Sequence, residues 1–464
     1  MSEENYNLVV GKMENVIKIY RSVPLSIIGK VTVIKSLMIP KLVHVMQVLP
    51  LPSKKYVDQI NRLIRNFLWN DGKARIALKQ LMLNYEDGGL KLTDITSLNI
   101  AIKISWIKRL CRSDGGFQKI FTSSICDMKE CVWSLDETSL KKILKVTTNP
   151  FWHEVLDVWL KYMGAENIER NILTYPIWNS FLTNKNILSK KQEFIERGVV
   201  YINDLIKPDR GIMSYIEFKY TYNVRLNFLD YHSMIQSIPL EWRKSAAKTD
   251  KLDYVQNTVL DNILKCEKVC KYVYQRIMEN KTVNHNKIDK WSEKLGSNVE
   301  ELWNESFLAL RKATVCSVLR SFQYMLIHRA LVTNEYLYKC NIKDTDKCYF
   351  CGEFGETIEH LFWNCNIIRC LWMDFIEKLL PYINLKSYLD KKYVMFCIHN
   401  EENRLVNHLF ILVKRYIYVT RCREKDVSLH SLLSFVKKYY VIETNIEAST
   451  HNCSKWDPVQ KLFD

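Results

Sequence analysis

Within the stretch CYFCGEFGETIEHLFWNC, three cysteines and one histidine fall at Cys348, Cys351, His360 and Cys365. The spacing is C-x2-C, eight residues, then H-x4-C. Thiolate sulfur and neutral imidazole nitrogen are strong donors to zinc at neutral pH, and four of them close a tetrahedral shell with no position left for a catalytic water. The pattern therefore predicts one structural Zn2+ that orders its segment by metal binding rather than by a hydrophobic core. Two residues between the first cysteines let a turn bring both sulfurs to one ion, and Gly352 suits that turn. Thr357 reads as the cap of a short helix that carries His360. On an ideal helix, five residues from His360 to Cys365 amount to about 140° of rotation, so the helix must end or bend near Asn364. The competing reading is a set of buried thiols beside a core histidine. Four ligands in finger-like order make that coincidence unattractive. Cys370 reads as a buried neighbour, and Cys266 with Cys270 as packing residues.

The 464-residue length calls for two to four packed units rather than one core. An apolar fraction of 47% excludes a disordered tail, and scarcity of Gly (13) and Pro (10) disfavours a turn-rich sandwich or barrel. The expected fold class is mostly α, a multi-unit helical protein with a small CCHC zinc knuckle. The start, MSEENYNLVV, is polar and acidic and unlike a secretory leader. The fourteen cysteines are irregularly spaced. Both features favour a reducing compartment, nucleus or cytoplasm, over a disulfide framework. No apolar run reaches the roughly 18 to 20 residues of a bilayer span, so no membrane partner is expected.

Lys and Arg exceed Asp and Glu by sixteen, 67 against 51, which favours polyanionic partners. Residues 1–112 hold 18 of the cations against 8 acids. Val57, Ile60, Ile64, Phe67 and Leu68 recur at helical spacing, with Lys55, Arg62 and Arg65 on the opposite face. That face is either a cationic grip or an ordinary solvated surface. Pro40 is expected to break the preceding apolar helix, and Gly88 with Gly89 to form a tight turn after Tyr85. Aromatics between about Ser113 and Lys290, as in YPIWNSF and FLDYHSMIQSIPLEWR, read as packing anchors, and residues 207–211 as a turn. His44, His153 and His408 sit in apolar contexts and read as core residues. No triad, P-loop or dinucleotide fingerprint is visible.

The flanks of the metal motif carry a resemblance. ETIEHLFWNC with Arg369 and Trp372, preceded by FQYMLIHRALVTNEYL and CYFC, resembles the zinc-binding segment that follows the reverse transcriptase domain in LINE-type, non-LTR retrotransposon polyproteins. Upstream, SIIGKVTVIKSLMIPKL, LPLPSKK, RNFLWN and DGGLKLTDI look like the thumb and post-thumb region of the same polyproteins. RGVVYINDLI and SIPLEW resemble their linker, and LVKRYIYVTRCREKDVSL their carboxyl end. The resemblance implies a thumb-like basic helical domain at 1–112, a helical linker at 113–300, a zinc-binding domain at 301–375 with its knuckle at 348–365, and a helical C-terminal region at 376–464.

The family's polymerase palm holds its metal ions on an adjacent pair of aspartates. No Asp-Asp pair occurs in this chain, and no endonuclease is recognisable. The resemblance therefore implies a non-catalytic carboxyl-terminal portion that binds RNA, DNA or both, with Met1 falling at the thumb. Expected phosphate contacts are Lys30, Lys35, Arg62, Arg65, Lys73 and Arg75 in the front unit, and His328, Arg329 and Arg369 near the metal. Phe362 and Trp363 read as the knuckle's own core in preference to base-stacking platforms, and Tyr349 is open to either role. Two other classes stay in view. One is a protein-interaction module built on the knuckle, and the other is a polymerase accessory acting with a palm supplied in trans.

Overall fold

The structure, a computed structural model, describes residues 2–51, 53–111, 141, 144–165, 173, 177, 193–194, 197–199, 201–209, 211–250, 259, 262–263, 266–281, 286–297, 299–383, 387, 389–398, 403–448 and 455–463. It is mostly helical. Among the described residues, β pairing is limited to isolated antiparallel bridges, Ile206 with Ile212 and Lys347 with Gly355. The first of these closes the expected turn, with Lys207 N–H donating to Gly211 O at 2.8 Å. No described helix is long and apolar enough to cross a membrane. The chain divides into two compact units that are interleaved in sequence. One comprises residues 1–6, 43–54 and 95–280, and the other 7–42, 55–94 and 281–464.

In the first unit, the helices Ile95–Cys111, Pro150–Ala165 and Val269–Glu279 bury Ile104, Ile107, Trp152, Leu156, Trp159 and Val273 against one another. The Trp106 ring meets Phe151 and Trp152 edge-on, each at 5.5 Å, an arrangement that suits the ring quadrupoles. Lys103 is fully buried there. Its Nζ donates to Met46 O at 2.8 Å and Leu49 O at 2.7 Å and lies 3.2 Å from the Glu154 carboxylate. Burial pushes its pKa down to about 8 even with Glu154 opposing the shift. A separate cluster gathers Val199, Ile202, Leu205, Met213, Phe218 and Tyr231. Trp152, Trp159, Phe218 and Tyr231 of this stretch are thus packing anchors as expected, whereas Tyr220 and Phe228 are exposed, and most of YPIWNSF lies outside the described residues.

In the second unit, the amphipathic helix Lys54–Trp69 buries Val57, Ile60, Ile64, Phe67 and Leu68, and Lys55, Arg62 and Arg65 are exposed on its other face. Trp303 on Glu300–Ala313, Trp372 on Asn366–Leu379 and Leu409 on Arg404–Cys422 are buried, the Trp372 ring meeting Phe410 edge-on at 5.3 Å. The turn at Gly88 and Gly89 forms as expected, with Gly88 N–H donating to Tyr85 O and Gly89 N–H to Asn84 O. Glycine is obligatory at 89, because a Cβ there would stand 1.9 Å from Leu83 O.

Pro40 does not break its helix. Helical residues run from Ile27–Val33 through a π stretch, Ile34–Met38, into Ile39–Met46. Proline lacks an N–H and its ring crowds the preceding turn. The widened turn, in which Ile39 N–H donates to Ile34 O, takes up that misfit. Two further expectations are corrected. His44 and His153 are exposed, because each falls on the outward side of its helix; His408 is fully buried as expected.

Candidate metal centre

Cys348 and Cys351 stand at the ends of a tight turn. Cys348 N–H donates to Phe354 O at 2.7 Å, Gly352 N–H donates to Cys348 O at 2.9 Å, and Gly352 takes a left-handed φ of 72°. This geometry aims both sulfurs one way. The Thr357 hydroxyl caps the following turn, accepting from His360 N–H at 3.0 Å. Residues His360–Asn364 then form a π turn closed by Cys365 N–H to His360 O at 2.9 Å, and Cys365 itself is extended. The helix ends where the five-residue spacing requires it to. The ligand atoms of all four residues lie within 4.8 Å of one another, and Cys351 Sγ is 3.3 Å from His360 Nε2. Zinc–sulfur bonds of about 2.3 Å in a tetrahedron set sulfurs about 3.8 Å apart, so one ion fits the cluster. The Cys348 thiol hydrogen-bonds to Cys365, which raises the pKa of Cys348 and lowers that of Cys365.

Sequence spacing gave no sign of how this knuckle is anchored. Glu356 is fully buried, and its carboxylate lies 2.6 Å from Arg421 Nη2. The same carboxylate accepts from Asn334 N–H at 2.8 Å and Tyr349 N–H at 3.1 Å, and Asn334 Nδ2 donates to Lys347 O at 2.7 Å. One carboxylate thus ties the Cys-x2-Cys turn to two helices. On the other side Arg329, in a left-handed conformation after the helix Ser317–Ile327, forks onto Glu359 and lies over the Trp291 ring at 4.5 Å. Burial by itself would raise the Glu359 carboxyl; the Arg329 guanidinium outweighs it and holds the group below the ordinary value. Phe362 is core, packed against Phe322 and Tyr418, with Trp372 Nε1 donating to its carbonyl at 2.9 Å. Trp363 is half-buried under Arg369. Tyr349 is likewise half-buried, its ring edge-on to Phe350. Cys370 is exposed rather than buried, because it lies on the outer side of Asn366–Leu379.

The expected phosphate contacts separate into different environments. Arg62, Arg65, Lys73, Arg75 and Arg369 are exposed, as is Lys35, whose stem borders a cleft. Arg329 is largely committed to Glu359. Lys30 and His328 are corrected from surface contacts to internal positions. Lys30 is buried, and its Nζ donates to Phe67 O at 2.8 Å, Leu68 O at 3.2 Å and the Asn70 side chain. It answers the negative end of the helix Lys54–Trp69. His328 is buried among Trp303, Phe307 and Tyr324; its Nε2 lies 2.8 Å from Gly88 O and its Nδ1 3.4 Å from Lys287 Nζ. That places the ring proton on Nε2, and burial keeps the ring neutral. The histidine pins the double-glycine turn.

Residues 269–372 match the family model for zinc-binding in reverse transcriptase. The matched segment contains all four ligands, and its last residue is the Trp372 that donates to the Phe362 carbonyl. This stretch is a reverse-transcriptase-associated zinc-binding region, and its Cys3His cluster is a single possible zinc site.

Proposed function

We propose that the chain is a nucleic-acid-binding portion of a LINE-type, non-LTR retrotransposon reverse transcriptase, holding RNA or DNA strands while the nucleotide-transfer chemistry resides elsewhere. The observation that carries this reading is the match of residues 269–372 to the reverse transcriptase zinc-binding family. It is supported by the order of the flanking motifs and by the sixteen-charge cationic excess. In this reading residues 1–112 are thumb-like, and Arg62, Arg65, Lys73 and Arg75 contact phosphates there. Zinc holds the knuckle rigid, with Arg369 beside it meeting the strand. Contacts of this kind give affinity with little sequence preference and weaken steeply with salt.

The test joins a metal assay to a binding titration. Purified chain is expected to carry one zinc ion, and its affinity for single-stranded RNA and for duplex DNA should fall as salt rises. Exchanging Arg62 and Arg65 together for Gln should weaken binding at low salt and reduce the logarithmic salt slope by about 2. Salt-independent affinity, or binding unaltered by the double exchange, would return that helix face to the role of a solvated surface. Failure to bind either polynucleotide, with zinc present, would favour the protein-interaction reading of the knuckle.

A further inference from the structure

Within the second unit, a cleft of about 130 Å3 opens between the helix Ile27–Val33, the Tyr85–Leu90 turn and the helices Glu300–Ala313 and Ser317–Ile327. Its floor is apolar and buried, made by Val31, Leu90, Phe307, Leu310 and the ring of Tyr324. The Tyr324 hydroxyl is turned away, donating to Gly88 O at 2.9 Å. Lys35, Arg311 and Arg320 also line the cleft, whereas among the described residues no acidic side chain does; Glu86 and Asp87 follow Tyr85 in sequence without lining it. Arg311 lies over the Tyr85 ring at 4.1 Å and Lys91 over the same ring at 5.2 Å. These cations disfavour one another. Burial and the neighbouring Arg311 both lower the Arg320 pKa, and burial and Lys91 both lower that of Lys35.

An apolar cavity of about 150 Å3 admits a benzene ring. At about 130 Å3 and open on one side, the cleft is on the scale of one six-membered planar ring. The ring floor and cationic rim together call for an aromatic group carrying an anion. We propose that the cleft receives a single unpaired nucleotide of a bound RNA or DNA strand, its base on the Phe307 and Leu310 floor and its phosphate between Lys35 and Arg311, while Arg320 is held by the Thr314 and Arg311 carbonyls. This rests on the nucleic-acid-binding reading above and adds to it a preference for strands with an unstacked base, the form in which a base can leave its neighbours for a protein surface.

Three hairpin RNAs separate the two ideas: one fully paired, one with a single bulged uridine, and one with an abasic residue at the bulge. The hairpin with the bulged uridine should bind about tenfold more tightly than the other two, the value of one base–aromatic contact. Thr32 is exposed at the cleft and its hydroxyl serves only its own helix, donating to Ile28 O at 3.0 Å. Thr32→Trp should close the mouth and abolish the preference, with affinity for the paired hairpin, zinc content and unfolding midpoint unchanged. Arg311→Gln should weaken the bulged hairpin more than the abasic one. Equal affinity for all three RNAs, or a preference that survives Thr32→Trp, overturns the proposal and leaves general strand binding standing. Absence of binding to every hairpin at low salt overturns both.

Discussion

Formal charge alone does not reveal what a basic residue does. Lys30 and Arg62 both belong to the cationic front of the chain, yet Lys30 closes the carbonyl end of a helix and Arg62 projects outward. The difference was not legible locally, because the acceptors of Lys30 lie 37 and 38 residues downstream. Replacing Lys30 with Met should lower stability by about 1 to 3 kcal/mol, since buried carbonyls lose a charged donor. Polynucleotide affinity per folded molecule should not change. Denaturant titration beside a binding isotherm separates the two effects. His408 gives a pH signature. Burial, with Lys455 close by, pushes its pKa down to about 3, and Glu443, paired with Lys455 at 2.6 Å, only partly opposes this. The folded value lies below the ordinary 6.5, so the neutral ring's contribution is complete above pH 6.5 and is lost as pH falls toward 3. Stability should decline through that window, and His408→Leu should flatten the decline measured by thermal unfolding.

At the scale of single elements, legibility followed the range of the determining contacts. The face of Lys54–Trp69 was readable because amphipathic spacing is a property of neighbours. The end of the knuckle helix was readable because zinc geometry constrains two residues five apart. The π turn through Ile34–Met38 was not, since the sequence shows that Pro40 is incompatible with a regular ladder but not whether the helix stops or widens. Thr357 offers a test at this scale. Its hydroxyl satisfies the His360 N–H, so Thr357→Ala should cost about 1 kcal/mol and weaken zinc a few-fold in competition with a chromophoric chelator. An unchanged zinc affinity would mean the turn is held by its flanks rather than by its cap.

Across the whole molecule, helical class and zinc site were readable from composition and spacing, whereas the interleaving of the two units was not. A chain that crosses between cores leaves no mark in local pattern. The same applies to the Glu356, Asn334 and Arg421 network, whose members are drawn together from positions 87 residues apart at the extremes. Breaking it from one side should be costly. Glu356→Gln is expected to destabilise the zinc-loaded protein by about 3 kcal/mol, because Arg421 is left buried without its counter-charge. Adding Arg421→Met should recover much of the loss, which a double-mutant cycle in denaturant would measure.

That network also bears on where a finger module of this kind can be cut. The family-matched segment stops at residue 372, well short of Arg421. Excised at that border, the metal-binding piece would keep every ligand yet enclose at its base a carboxylate stripped of its counter-charge. A self-standing piece is therefore expected to extend at least through the helix Arg404–Cys422.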